Sequence, residues 1–317
     1  MADSSVERWR RISVGRSRPL RPLRHALETG ALNFLTFVAR AIPLPAASDL
    51  GDVLGRMALP FLAKRRRIAT ENLERALGLS PRDAEAMTRA VFRQLGRSFV
   101  EFLALPAHGW DELNRRVVFD EGIARLEAHA KSGKGAVLVT AHYGNWELFG
   151  AAVGRRVGGV AYVFPPQSNP GSGARINETR SRLGVELIDM EQGMRRALKR
   201  VLQGGHIGML MDQDARKIGV HVPFFGRPAS TLTGPARLAI RARAPIYFGL
   251  LDRTGHATFE GKTLAWLEPI PGADEETELL RLTTAMNEAL EKAVRERPDH
   301  WYWIHRRWKT PPPDPTT

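Results

Sequence analysis

The chain has 317 residues, with 47 Lys and Arg against 34 Asp and Glu, and a net charge of +13 at pH 7. That length allows one large domain or two modest ones, and a 43% hydrophobic, 26% charged composition excludes wholesale disorder. The absence of cysteine excludes a disulfide framework, a thiol nucleophile, an iron–sulfur cluster and a cysteine-based zinc site.

In chain order, Arg8, Arg10, Arg11, Arg16, Arg18, Arg21 and Arg24 crowd the start, beside Trp9. Such a basic excess points to nucleic acid or to an anionic membrane. The apolar stretch 31–48 is interrupted by Arg40, Pro43 and Pro45, and a membrane-spanning helix needs roughly 20 mostly apolar residues. This segment is therefore expected in the interface or packed on the body, and no secretory signal is read. Leu32, Leu35, Val38 and Ala39 recur at helical spacing, as do Ile68, Leu73 and Leu77 after the basic run Lys64 to Arg67. Ser80 followed by Pro81 predicts a helix start, with Val91, Phe92, Leu95, Val100, Phe102 and Leu103 on its apolar face and a break at Pro106 and Gly109.

From about Val117 short β-branched runs alternate with amphipathic stretches. Strands are predicted over 136–140, 160–164, 185–188, 207–211 and 246–251, with 258–267 as one more at an edge. Helices are predicted over 146–156, 174–183, 194–202, 234–243 and 276–295. That alternation implies crossover connections and an α/β fold with a mostly parallel sheet. At the end, Arg306, Arg307 and Lys309 sit among Trp301, Tyr302, Trp303 and Trp308, a composition suited to a headgroup interface. The last residues, PPPDPTT, read as a disordered tail.

One constellation carries chemistry. His142-Tyr143-Gly144-Asn145-Trp146-Glu147 follows the strand AVLVT directly, and open α/β sheets gather their reactive groups at the carboxyl ends of strands. A His there is a candidate base near neutral pH, with an acidic residue holding one ring nitrogen. On a continuous helix residues five apart point roughly 140° away from each other, so His142 and Glu147 meet only if the chain turns between them, as Gly144 permits. Otherwise both are merely solvated. No G-x-S-x-G, H-E-x-x-H, Walker or G-x-G-x-x-G pattern occurs, and Gly171-Ser172-Gly173 is read as a loop without the third glycine. Asp212-Gln213-Asp214 follows another strand. Two carboxylates there are a candidate for a divalent cation, but more commonly they orient structure or substrate.

With these residues in place, the chain resembles the bacterial lipid A biosynthesis acyltransferases (lauroyl/myristoyl type) and their phosphatidylinositol mannoside acyltransferase relatives, within the HX4(D/E) lysophospholipid acyltransferase superfamily. H-Y-G-N-W-E is similar to the HX4(D/E) signature. KRRRIATENL from Lys64, Ser168-Asn169-Pro170 with Arg180 and Gly184, Asp212 to Ala215, VPFFGRP from Val222, TGPARLA from Thr233 and WIHRRWK from Trp303 resemble the family's other blocks in order.

The resemblance implies transfer of an acyl chain from an acyl carrier protein or coenzyme A thioester to a hydroxyl of a membrane lipid. His142 is expected as general base and Glu147 as the residue that orients it. Asn145, Arg180 and Asp212 are expected to bind substrate, Arg180 through an anionic group; Asp214, Arg227 and Thr233 are weaker candidates. No acyl-enzyme, cofactor or metal is required, and backbone N–H groups near Gly144 and Asn145 are the expected oxyanion donors. Trp146, Phe149, Phe164, Phe224 and Phe225 are candidates for an apolar groove. The expected organisation is a basic arm over 1–24, a helical membrane-associating region over 25–115, the acyltransferase core over 116–310 and a tail over 311–317. The expected place is the cytoplasmic face of the inner membrane, held peripherally on an anionic surface. A nucleic-acid-binding protein is disfavoured, because no reading element accompanies the charge; a hydrolase and an inactive lipid-binding relative remain open.

Overall fold

The computed structural model describes residues 21–164, 167–189 and 193–313. Four helices come first: α1 (Arg21–Ala41), α2 (Leu44–Ala58), α3 (Ala63–Leu77) and α4 (Pro81–Ala104). Ser80 caps α4, its hydroxyl accepting from the Asp83 N–H, with Pro81 in the first turn, as expected. The segment 31–48, read as an interfacial stretch, is divided between α1 and α2. Pro43 stands just before α2, where a missing N–H costs nothing. The basic stretch before Arg21, with Trp9 and the first five arginines, lies outside the described residues; Arg21 and Arg24 belong to α1.

After the short α5 (Trp110–Arg116) the α/β part begins with β1 (Val117–Phe119), α6 (Gly122–Lys131), β2 (Ala136–Thr140), α7 (Trp146–Arg156) and β3 (Val160–Phe164). It continues with α8 (Pro170–Arg182), β4 (Val185–Asp189), α9 (Gly193–Leu202) and β5 (His206–Leu210), then β6 (Val220–Phe224) and β7 (Arg227–Thr231). The chain ends with α10 (Gly234–Ala242), β8 (Ile246–Gly255), β9 (Thr258–Leu267) and α11 (Glu275–Glu296). Among the described residues one sheet has seven strands in the order β1-β9-β8-β2-β5-β3-β4, parallel throughout except for the β8–β9 pair.

Two expectations need correction, and one hairpin is added. The strand over 258–267 is not at the edge, because Val117 to Phe119 pair outside it; three residues are too few to show a period. Gly171-Ser172-Gly173 is no loop: Asn169 caps α8, its side-chain oxygen accepting from Gly171 and Ser172 N–H, with Pro170 in the first turn. VPFFGRP forms the β6–β7 hairpin, whose turn places Phe225 (φ 52°) and Gly226 (φ 67°) in the left-handed region. Pro223 and Pro228 hid it, since proline argues against a strand.

The core lies on both sheet faces, which is why the parallel strands read as unbroken apolar runs. Val137, Val139, Ala161, Ile207, Ile246 and Phe248 pack with Leu238 of α10 and with Leu282, Met286 and Leu290 of α11. Ala136, Leu138, Val160, Tyr247 and Leu251 pack on the other side with Leu148, Phe149 and Val153 of α7 and with Leu103. The residues after α11 return across the carboxyl end of β2. Tyr143 bridges to Trp301, and the Gly144 N–H donates to the His300 carbonyl at 2.9 Å.

Candidate active site

The turn after β2 is fixed from three sides. Gly144 has φ 55°, and a β-carbon there would fall on the Leu251 carbonyl oxygen, so only glycine fits. The Ser98 hydroxyl of α4 donates to the Gly144 carbonyl at 2.8 Å. Asn145 caps α7, its side-chain oxygen accepting from the Leu148 N–H at 3.1 Å. Its amide donates to Glu101 at 2.9 Å, and Glu101 forms a buried two-pronged pair with Arg253, both bonds 2.7 Å. Asn145 is thus buried, with its side-chain oxygen and its amide both engaged in bracing the turn. Gly144 N–H is likewise spent on His300 and is not a free oxyanion donor.

His142 sits beyond the carboxyl end of β2, partly exposed. Its Nδ1 lies 2.8 Å from Asp212 Oδ1, its backbone N–H donates to Asp212 Oδ2 at 2.9 Å, and the Trp301 indole N–H donates to the same oxygen at 2.9 Å. Burial works to raise the Asp212 carboxyl pKa, but the His142 charge and these hydrogen bonds outweigh it and hold the group below the usual carboxylate range. An ionised carboxylate only accepts, so Nδ1 of His142 carries a proton toward Asp212, and in the neutral ring Nε2 is the nitrogen that holds the lone pair. Gln213 Nε2 faces that nitrogen at 3.3 Å. Trp146 and Tyr302 close round the imidazole, with ring centroids 5.2 and 5.4 Å away.

Glu147 does not orient His142, as the spacing had allowed. It accepts both arms of Arg180, from Nε at 3.0 Å and from the terminal nitrogen at 2.6 Å. Helical geometry decides this: Glu147 is in the first turn of α7 and points across to α8. Although burial opposes the charge on Arg180, the Glu147 carboxylate raises its pKa overall. The expected anion site on Arg180 is therefore already shared with a carboxylate. Asp212 and Asp214 also face different partners, since Asp214 accepts from Thr310 N–H and hydroxyl at 3.2 and 3.0 Å. Arg227 stacks its guanidinium over Trp308, 5.0 Å from the ring centre, and Thr233 precedes α10 as its N-cap without a side-chain bond; neither reaches His142.

A cavity of about 280 Å³ opens beside His142 between the sheet and α7. Thr140, His142, Glu147, Gln167, Arg180 and Gln213 form its polar part, and Leu138, Phe149, Val153, Val160, Tyr162 and Leu210 its apolar part. Of the aromatics expected in a groove, Trp146 and Phe149 line it. Phe224 and Phe225 are core residues on the opposite face, and the side chain of Phe164 lies outside what is described.

Reasoning from the sequence missed Gln213, Trp301 and Tyr302 at this site, and placed Trp301, Trp303 and Arg307 at a membrane interface. All three are buried. Arg307 donates to the Ser230 carbonyl and the Thr231 hydroxyl at 2.6 Å each, and burial lowers its pKa to about 10. The block WIHRRWK was the one signal that marked this segment, since composition could not separate a buried Arg–Trp cluster from an exposed one.

The family model for bacterial lipid A biosynthesis acyltransferases matches residues 15–310, and the chain belongs to that family. It is similar to the phosphatidylinositol mannoside acyltransferase of Mycobacterium tuberculosis, 28% identical over 75% of each chain. It is also similar to the lipid A biosynthesis palmitoleoyltransferase of Escherichia coli, 29% identical over 86% of this chain and 87% of that one. The lauroyltransferase of the same organism is 29% identical over 86% and 88%. The protein is an acyltransferase with a lipid acceptor.

Proposed function

We propose that the protein moves a fatty acyl chain from an acyl carrier protein or coenzyme A thioester to a hydroxyl of a membrane glycolipid such as a lipid A precursor. His142 is the general base in this reading. The observation that carries it is the His142–Asp212 pair at the mouth of an apolar cavity. Nε2 accepts the acceptor's hydroxyl proton while the oxygen attacks the thioester carbonyl. The tetrahedral adduct then expels the thiolate, which takes the proton from His142. Asp212 holds the ring and stabilises the imidazolium, as the third member of a triad does. The thioester is a co-substrate, and the step uses no cofactor or metal.

The surface supports a place of reaction at the membrane. Among the described residues no helix is long and apolar enough to cross a membrane. Leu23, Leu27, Phe34 and Phe37 run along one side of α1, the two phenylalanines 70% and 71% exposed, and Phe61 is 83% exposed. Arg24 of α1, Arg56 of α2 and Lys64 and Arg67 of α3 belong to the same helical region. An apolar stripe with cations favours the cytoplasmic leaflet of the inner membrane. The opposite, packed side of α1 lies near the cavity: Thr29 donates to Asn169 at 3.3 Å, two residues from the lining Gln167.

Radiolabelled acyl transfer to membranes tests this, with both donors, for wild type and His142→Ala. Label entering a lipid and lost in the variant supports the reading, and extraction of that lipid names the acceptor, lipid A precursor or phosphatidylinositol mannoside. Equal label in both proteins makes His142 structural and refutes the mechanism.

A further inference from the structure

We propose that Tyr162 sets the length of the acyl chain this protein accepts. The inference rests on the reading that the cavity beside His142 holds that chain.

The strands give the cavity a depth scale. β2, β5 and β3 run parallel, with Thr140 opposite Leu210, Leu138 opposite Gly208, and Gly208 opposite Tyr162. Two residues along a strand span about 7 Å. Thr140 and Leu210 therefore lie near the mouth, Leu138, Gly208 and Tyr162 one step deeper, and Val160 a further step. On α7 the order is the same: Trp146 and Glu147 are at the mouth, Gly150 follows, and Val153 is deepest. All of these residues line the one cavity.

Tyr162 crosses it. A β-carbon on Gly208 would fall on the Tyr162 ring, and a β-carbon on Gly150 would fall on its hydroxyl oxygen. The ring thus leaves β3, lies over the bare backbone of β5 and ends against α7. Two glycines, one in a strand and one in a helix, sit where each is unfavourable for its element, and each makes room for the same side chain. Tyr162 is partly buried. Among the described residues the Tyr162 hydroxyl takes up only longer-range electrostatic interactions, with Glu147 and Arg180. Bulk and position, not a polar bond, distinguish this side chain. A chain whose thioester carbon is at His142 passes Thr140 and Leu210 and meets the ring before the space between Val153 and Val160.

The test is competition among acyl thioesters graded in two-carbon steps, with membrane vesicles as acceptor and product chains read by mass spectrometry. Each methylene admitted to an apolar site changes selectivity about fourfold. Tyr162→Ala is expected to shift the preferred chain longer by two or more carbons and to favour the longer donors by roughly tenfold. Gly150→Ala, which drives the ring toward the lumen, is expected to shift it shorter. Tyr162→Phe keeps the barrier and is expected to leave the preference in place. If Tyr162→Ala does not fold, Tyr162→Val opens part of the same space and is read identically. An unchanged preference in Tyr162→Ala or Tyr162→Val, while the wild type transfers acyl chains, overturns the inference and leaves the acyltransferase reading intact. Absence of transfer by the wild type with every donor overturns that reading, and this inference with it.

Discussion

At the residue scale, the site separates two acidic roles that one motif had seemed to combine. Asp212, on the far side of the imidazole from the cavity, fixes the tautomer, whereas Glu147 neutralises Arg180. Asp212→Asn should keep the fold but lose the Nδ1–H tautomer, with kcat falling by about 10³ to 10⁴ and KM little changed. Steady-state acyl transfer measures both. The Glu147–Arg180 pair is about nine-tenths buried on each side, so removing one partner strands the other's charge. Each of Glu147→Gln and Arg180→Met should therefore destabilise by about 3 kcal/mol, while the double variant costs less than the sum. A double-mutant cycle in urea denaturation checks this, and additive effects would show that the pair is not coupled.

At the element scale, close backbone contact ties the first helices together. Gly51 and Gly55 of α2 face Gly96 of α4, and a β-carbon on Gly96 would meet Gly55 Cα at 2.8 Å. Gly96→Ala should separate the helices and cost about 1–3 kcal/mol, read as a lower thermal midpoint. α4 also bears Ser98 and Glu101, so the same change should lower activity through the turn at Gly144. His206, at the start of β5, must stay neutral because its Nδ1 accepts from the Ala136 N–H at 3.2 Å. Burial, with the His129 and Arg200 charges, lowers its pKa from 6.5 to about 4. Between those values the unfolded chain binds a proton that the folded one refuses. Stability from this group is complete above pH 6.5 and is lost as pH falls toward 4. Denaturation midpoints should drop over that window, and His206→Asn should make the drop shallower.

At the scale of the whole molecule, the net charge of +13 and the apolar stripe on α1 point the same way. Replacing Phe34, Phe37 and Phe61 by Ser should weaken sedimentation with anionic vesicles about tenfold or more, given roughly 1.5–3 kcal/mol per buried large apolar side chain. Added salt should weaken it further. Vesicle binding unchanged by the triple variant would place the docking surface elsewhere. These three side chains are exposed, so thermal stability should stay close to that of the wild type.

Much of the fold was legible because local rules sufficed. Buried parallel strands appear as short β-branched runs, Ser80-Pro81 announces a helix start, and Gly144 marks the turn that the backbone requires. The alternation of strands and helices, the place of His142 at a strand end and the ordered blocks shared with the family are all readable along the chain. Which acid serves His142 is not. Asp212 is 70 residues away and Trp301 a further 89 beyond it, and adjacency in a parallel sheet arises from strand order, which no local period records. The same reason hid the buried state of Arg307 and the crossing of Tyr162 to Gly150 and Gly208. In each, the informative neighbour belongs to another element, and burial against it depends on how those elements pack.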